Sequence, residues 1–207
     1  MTRARADDYD AKVNAILDAA AALFAKTGYP SAKMEDIAKA CGATKSMLYH
    51  YFPAKDDLLF AMLTEHMDRV LVAVEQVMAG PGSARQRLAT FVQVYTQKSA
   101  QSRRRHVVAM NDAKYLPRKL QTPLIEREVR VTNMVADLLR EANPGLANEV
   151  YKPYTMLLIG MLNWTDTWYK PSGAVKQQEL CERAARLFLR GFLAEKAKPR
   201  VARRDRV

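Results

Sequence analysis

The chain is short of turn-making residues: its 207 positions hold 8 glycines and 9 prolines, about 8% where average proteins have about 12%. All-β and collagen-like chains are thereby excluded, and long helices are expected. Cysteine is scarcer still. Cys41 and Cys181, far apart in the chain, cannot form a disulfide framework or a zinc site, and such sparing use fits a reducing compartment. Long apolar runs are missing too. The longest, from Met156 to Leu162, is too short to span a bilayer, and the opening Thr2-Arg3-Ala4-Arg5-Ala6-Asp7-Asp8 has no secretory apolar stretch. A soluble cytoplasmic protein with no membrane partner is expected.

Acid is also in deficit, with 22 Asp+Glu against 33 Lys+Arg and a net charge of +11. An anionic partner follows, and nucleic acid, an acidic surface or a phosphate-rich small molecule would each serve. The surplus is unevenly placed. Residues 1–60 carry 8 basic and 8 acidic side chains, residues 61–150 carry 13 and 9, and residues 151–207 carry 12 and 5. Much of the last excess lies in a basic tail, 196–207, expected to be disordered. Charge counting alone would place a nucleic-acid site in the C-terminal half, so residue order must decide.

What is there is helical periodicity. Val13, Ile16, Leu17, Ala20, Leu23 and Phe24 recur at spacings of three and four over residues 9–27, and Gly28 ends the helix. A second helix fits Met34 to Cys41, with Glu35 and Asp36 in its first turn where the dipole favours acid. Gly42 stops it. Thr44 is a good N-cap for a third helix through Tyr51, which Phe52-Pro53 terminates. Helix, glycine, helix, three-residue turn, helix is the helix-turn-helix pattern.

A long helix from Lys55 follows, ending before Gly80-Pro81-Gly82. Further helical patterns cover Leu88–Val94, Val107–Met110 and Val129–Leu139, punctuated at Pro117, Pro123 and Asn143-Pro144-Gly145. The segment Tyr154–Trp168 is apolar on nearly every face, which predicts an internal helix or one shared between subunits. A last helix from about Val175 to Leu193 sets Leu180, Ala184, Leu187, Phe188 and Phe192 on one face.

Residues 24–55, FAKTGYPSAKMEDIAKACGATKSMLYHYFPAK, resemble the N-terminal DNA-binding domain of the TetR family of bacterial repressors. Phe24, Gly28-Tyr29, Ile37-Ala38, Gly42, Leu48-Tyr49, Tyr51-Phe52 and Lys55 carry the match. The resemblance implies an all-α fold, with a three-helix domain over 1–55 (about 9–69 with the start of the linking helix) and a helical effector-binding and dimerisation domain over 56–195. It also implies a homodimer on a palindromic double-stranded operator, released by a small molecule. Thr44, Lys45, Ser46, Tyr49, His50 and Lys55 match positions that touch DNA in the family, and Ser31 or Lys33 is expected to replace the hydroxyl-to-phosphate contact that the family makes at position 32. Tyr49 and Lys55 are expected as phosphate clamps, Lys45 and Ser46 as base readers. Leu48, Tyr51 and Phe52 are expected in the core, and Arg3 and Arg5 either in an arm or in an unstructured terminus. Two positions depart from the family: alanine stands at 32 and 54, where hydroxyl caps are usual.

The segment LNWTDTWYKPSG (162–173) and the later Phe188-Leu189-Arg190-Gly191 resemble the acyl-CoA-responsive branch of that family. A CoA thioester needs cations at a mouth and an apolar tunnel behind. Arg103-Arg104-Arg105, Lys114, Arg118 and Lys119 are candidates for the first. Met110, Leu116, Met134, Leu138, Met161, Trp164 and Trp168 are candidates for the second, and Asn163 and Asp166 for polar orientation of the ligand or bridging of the dimer. A non-CoA apolar ligand stays open, as does non-specific DNA binding through the basic tail. No catalytic role, metal site or cofactor is expected: His50, His66 and His106 join no serine or cysteine motif, and no phosphate-cradling glycine loop is present.

Overall fold

The computed structural model of the protein describes the backbone of residues 2–196 and the side chains of residues 9–196 except that of Asp166. The expected roles of Arg3, Arg5, Asp166 and the tail beyond Lys196 therefore lie outside the described residues. Among the described residues there are nine α-helices: α1 Thr2–Thr27, α2 Met34–Ala40, α3 Lys45–Tyr51, α4 Lys55–Met78, α5 Ala84–Gln101, α6 Arg103–Asp112, α7 Arg118–Ala142, α8 Asn148–Trp168 and α9 Gln177–Ala194. A 3-10 turn, Ala113–Tyr115, joins α6 to α7, and no strand occurs among the described residues. None of the helices described is long and apolar enough to cross a membrane.

The expected stops at the first three helices are found, and their geometry explains them. Gly28 and Gly42 have φ of +76° and +68°, the left-handed region where a Cβ is strained. At Gly42 the N–H bonds the Lys39 carbonyl at 3.2 Å and the Ala43 N–H bonds the Ala38 carbonyl at 2.9 Å, the paired closure of a Schellman motif. Thr44 is extended, and its Oγ1 accepts from the Met47 N–H at 3.1 Å, capping α3.

Elsewhere the helices outrun the periodicity. Pro123 and Pro153 break nothing; each lies six residues into its helix. The carbonyls that each proline leaves without an N–H partner belong to Lys119 and Glu149, both exposed and in the first turn of their helices.

The chain packs as two compact units. The first comprises residues up to Ala73 together with Gln97–Arg130. Its core joins Ile16, Phe24, Ile37, Leu48, Leu58 and Met62 to Val108, Leu116 and Leu124, so α6 and the start of α7 complete the hydrophobic centre begun by α1–α4. The second comprises Val74–Thr96 and residues from Val131 onward, with Phe91, Leu139, Leu158 and Phe192 among its buried side chains. Here Tyr151 closes the α7–α8 turn, its hydroxyl donating to the Asn143 carbonyl at 2.8 Å while the Arg140 guanidinium lies 5.0 Å from its ring centroid. Asn143 Nδ2 donates to the Phe192 carbonyl at 3.0 Å, tying the same turn to α9.

Two apolar segments differ from expectation in where they face. On α8 the buried stripe is Tyr151, Thr155, Leu158, Leu162 and Thr165, whereas Met156, Leu157, Trp164 and Trp168 are exposed. On α9 the buried stripe is Cys181, Ala185, Leu189 and Phe192. Leu187, expected on one face with Phe192, is exposed, because five residues at about 100° each turn it far from Phe192.

Candidate nucleic-acid interface and effector-domain residues

The α2–turn–α3 segment presents one polar face. Lys33, Thr44, Lys45, Ser46, Tyr49 and His50 are all exposed, while Leu48 and Phe52 are buried and Tyr51 is half-buried against Tyr9, ring centroids 5.1 Å apart. Burying Leu48 orients α3 so that positions 45, 46, 49 and 50 point outward together. A helix of this size fits a major groove about 12 Å wide. Lys45 Nζ donates to Glu35 Oε1 at 2.5 Å, and this contact holds Glu35 below the usual carboxylate range while raising Lys45. The Lys45 cation is thus paired with an exposed acid of α2.

Lys55 is placed otherwise than expected. Its Nζ donates to the carbonyls of Tyr29 (2.9 Å), Ala32 (3.1 Å) and Pro30 (3.3 Å) and lies 4.4 Å from the Tyr29 ring centroid. An ammonium has three donors, and all three are engaged by the α1–α2 loop rather than extended outward. The two alanines also resolve differently. Ala32 is buried in the core, and the residue at the N-cap of α2 is Lys33, extended and without a side-chain cap. At α4, Asp57 Oδ2 accepts from the Ala54 N–H at 3.1 Å, which supplies half of a capping box.

Around that loop lies a cluster with no motif in the sequence. The Tyr29 hydroxyl donates to Asp56 Oδ1, which with burial pushes the phenol upward. The Tyr29 N–H donates to the buried Asp112 carboxylate, whose burial nevertheless raises its pKa. Tyr115 stacks on Tyr29 at 5.9 Å. The loop before the reading helices is therefore clamped by the start of α4, the end of α6 and the 3-10 turn.

The three consecutive arginines are not equivalent. Arg105 is buried, its Nη2 donating to Asp18 of α1 at 2.7 Å and its Nη1 to Glu65 of α4, while Arg103 and Arg104 are exposed. Beside it His66 Nε2 meets His106 Nδ1 at 3.2 Å, both rings buried. Burial, the neighbouring His106 and the Arg69 cation push His66 down to about 4.

Of the expected ligand residues, Arg104, Met110 and Lys114 belong to the first unit, and Met134, Leu138, Met161, Asn163, Trp164 and Trp168 to the second. Arg104 lines a polar cleft of about 650 Å³ with Arg69 and Asp18. Lys114 is exposed, its Nζ 5.3 Å from the Tyr115 ring centroid, and Met110 is exposed. Leu138 is buried, Met134 and Met161 are half-buried, and Asn163 Oδ1 accepts from the Tyr95 hydroxyl at 2.8 Å. Trp164 and Trp168 correct the sequence reading. They are 67% and 53% exposed, on the open side of α8 rather than lining an interior tunnel, because Leu158 and Leu162 occupy the inward face.

Against known proteins, residues 16–62 match the model of bacterial regulatory proteins of the tetR family, and residues 81–192 match the tetracyclin repressor-like C-terminal domain. A TetR-family regulator from Bordetella parapertussis superposes with a TM-score of 0.82 at 38% identity, covering 90% of this chain and 98% of that one. The transcriptional repressor KstR2 of Mycolicibacterium smegmatis is 24% identical over 184 residues, 86% of this chain and 88% of the relative. The structure of AibR in complex with isovaleryl coenzyme A and operator DNA has the same fold, with a TM-score of 0.74 at 24% identity over 86% of this chain and 96% of that one. The chain is a member of the TetR family of bacterial transcriptional regulators.

Proposed function

We propose that the protein represses transcription as a homodimer on a palindromic operator and releases DNA when it binds an acyl-CoA thioester. The observation carrying the first half is the exposed polar face of α3, where Lys45, Ser46, Tyr49 and His50 stand clear beside Lys33 with the cap of Thr44 intact. Lys45 exchanges Glu35 for a phosphate or a base edge, Ser46 reads the adjacent edge, and Tyr49, His50 and Lys33 fix the register on the backbone. Lys55 contributes by holding the loop.

The dimer reading rests on apolar surface. Met156, Leu157, Trp164 and Trp168 of α8 and Leu187 of α9 are exposed together with half-buried Leu180, Ala184 and Phe188. A patch of this extent favours a second copy, which pairs the two helices into a four-helix bundle. The effector reading rests on the likeness to AibR, whose structure holds a CoA thioester; its candidate ligand residues are Arg104, Met110 and Lys114 within the first unit and, separately, Met134, Leu138, Met161 and Asn163 within the second. A thioester that binds only one arrangement of the two reading heads lowers operator affinity by the same factor that DNA lowers thioester affinity.

A mobility-shift titration on the DNA upstream of the protein's own gene, repeated with a panel of CoA thioesters, tests both halves. A complex dissolved by at least one thioester and not by free CoA is expected. Failure to bind that DNA sinks the operator reading, whereas a complex that no thioester dissolves sinks the effector reading alone.

A further inference from the structure

The second unit carries a cleft that neither the DNA face nor the proposed effector residues use. It lies between α5 and α9 and encloses about 530 Å³, within the range of small-molecule sites. Gln177 Nε2 reaches the Thr96 carbonyl at 3.3 Å, so the start of α9 meets the end of α5 and the two helices run antiparallel. Arg85, at the start of α5, therefore shares one end of the cleft with Arg190 and Arg186 from the last turns of α9, while Gln93 and Gln178 share the other. Between the ends the floor is small and apolar, formed by Ala89, Cys181, Ala185 and Leu189.

The cleft is lined by three arginines against one acid, Glu182, which stands one turn before Arg186 on α9. Arg85, Arg186 and Arg190 have no acidic partner among the described residues, and Glu182, the single acid lining the cleft, is engaged by Gln178 at 3.1 Å. Arg186 and Arg190 are also one turn apart, a like-charge spacing that opposes the helix, and Arg85 sits in the first turn of α5, where the helix dipole already disfavours a cation. Both placements border one concavity, so a single anion there would relieve them together.

We propose that this cleft is a second ligand site, for an amphipathic organic anion: a phosphate or carboxylate head gripped by Arg85, Arg186 and Arg190, and a slim apolar body along Ala89, Cys181 and Ala185. Guanidinium suits such a head because its fork matches two oxygens at once. The amides of Gln93 and Gln178 cap the far end, which sets the length of the body. This site is independent of the thioester reading.

Cys181 in the floor supplies a local readout. In a Cys41→Ser background, the rate of Cys181 alkylation by N-ethylmaleimide is measured with decyl phosphate, decanoate, decanol and inorganic phosphate. Decyl phosphate or decanoate should slow alkylation at least fivefold at sub-millimolar concentration, with decanol and inorganic phosphate far weaker. The pair Arg186→Gln and Arg190→Gln, and separately Arg85→Gln, should remove most of that protection. No protection by either amphiphile overturns the site; equal protection by decanol overturns the role of the arginines; equal protection by inorganic phosphate overturns that of the floor; protection that survives both sets of variants places the anion elsewhere and overturns the proposal.

Discussion

Lys45 and Lys55 share a formal charge and lie ten residues apart, yet their surroundings give them different work. Lys45 stands on the surface with one exposed acid as its partner, an arrangement that water and salt weaken and a phosphate can replace. Lys55 is held by three carbonyls and an aromatic face. Lys55→Met should therefore cost about 1–3 kcal/mol of stability, read from the urea midpoint, and leave the salt dependence of operator binding unchanged. Lys33→Met should do the reverse, lowering the slope of log K against log salt by about one at constant stability. A Lys55 variant that lost slope without losing stability would restore the phosphate-clamp reading.

His66 gives the second residue-scale prediction. Its native pKa of about 4 lies below the value of about 6.5 for an unfolded histidine, so between those values the unfolded chain binds a proton that the native state refuses. Stability is then full at pH 7 and falls as pH drops from about 6.5 towards 4, by about 2 kcal/mol at pH 5. Urea titrations at pH 7 and pH 5 should show this loss, and His66→Asn should remove most of it. A wild-type protein equally stable at both values would contradict the buried neutral ring.

At the scale of elements, the caps carry testable weight. Thr44→Ala should cost about 0.5–2 kcal/mol, while Thr44→Ser should restore the bond to the Met47 N–H and most of the stability; equal losses in the two variants would mean that the methyl group, not the cap, matters. The same elements explain what the sequence made legible. Gly28, Gly42 and Thr44 act on their own neighbours within four residues, so a linear reading finds them. Pro123, read as punctuation, misled because a proline near the start of a helix costs one hydrogen bond and a local adjustment, which packing along the rest of α7 outweighs, and packing is a tertiary property. Arg105 hid among three arginines because its burial depends on which face of α6 meets α1 and α4. Trp164 and Trp168 were read as tunnel lining since an apolar residue in an apolar helix carries no mark of which side faces in. The exposed face of α3 was legible in full, because its register is set by local capping and a single buried leucine.

At the scale of the molecule, the exposed faces of α8 and α9 bear on assembly. Trp164→Glu combined with Leu187→Glu should yield a monomer by sedimentation velocity, with helix content kept and operator binding lost, because a half-site alone offers too few contacts. An unchanged sedimentation coefficient would move the dimer surface elsewhere.

The division of the chain into two discontinuous units bears on how the protein is born. The first unit takes residues up to Ala73, hands the chain to the second, and takes it back from Gln97 to Arg130. Val108, Leu116 and Leu124 belong to its core, and Asp112 and Arg105 pair with Tyr29 and Asp18. A ribosome that has released the three helices that face DNA has therefore made a protein with an open side. Until Arg130 has cleared the exit tunnel, the core around Phe24 and Met62 lacks the side chains that α6 and the start of α7 bring to it, so a chain cut short before Gln97 is expected to unfold at lower urea than the full chain.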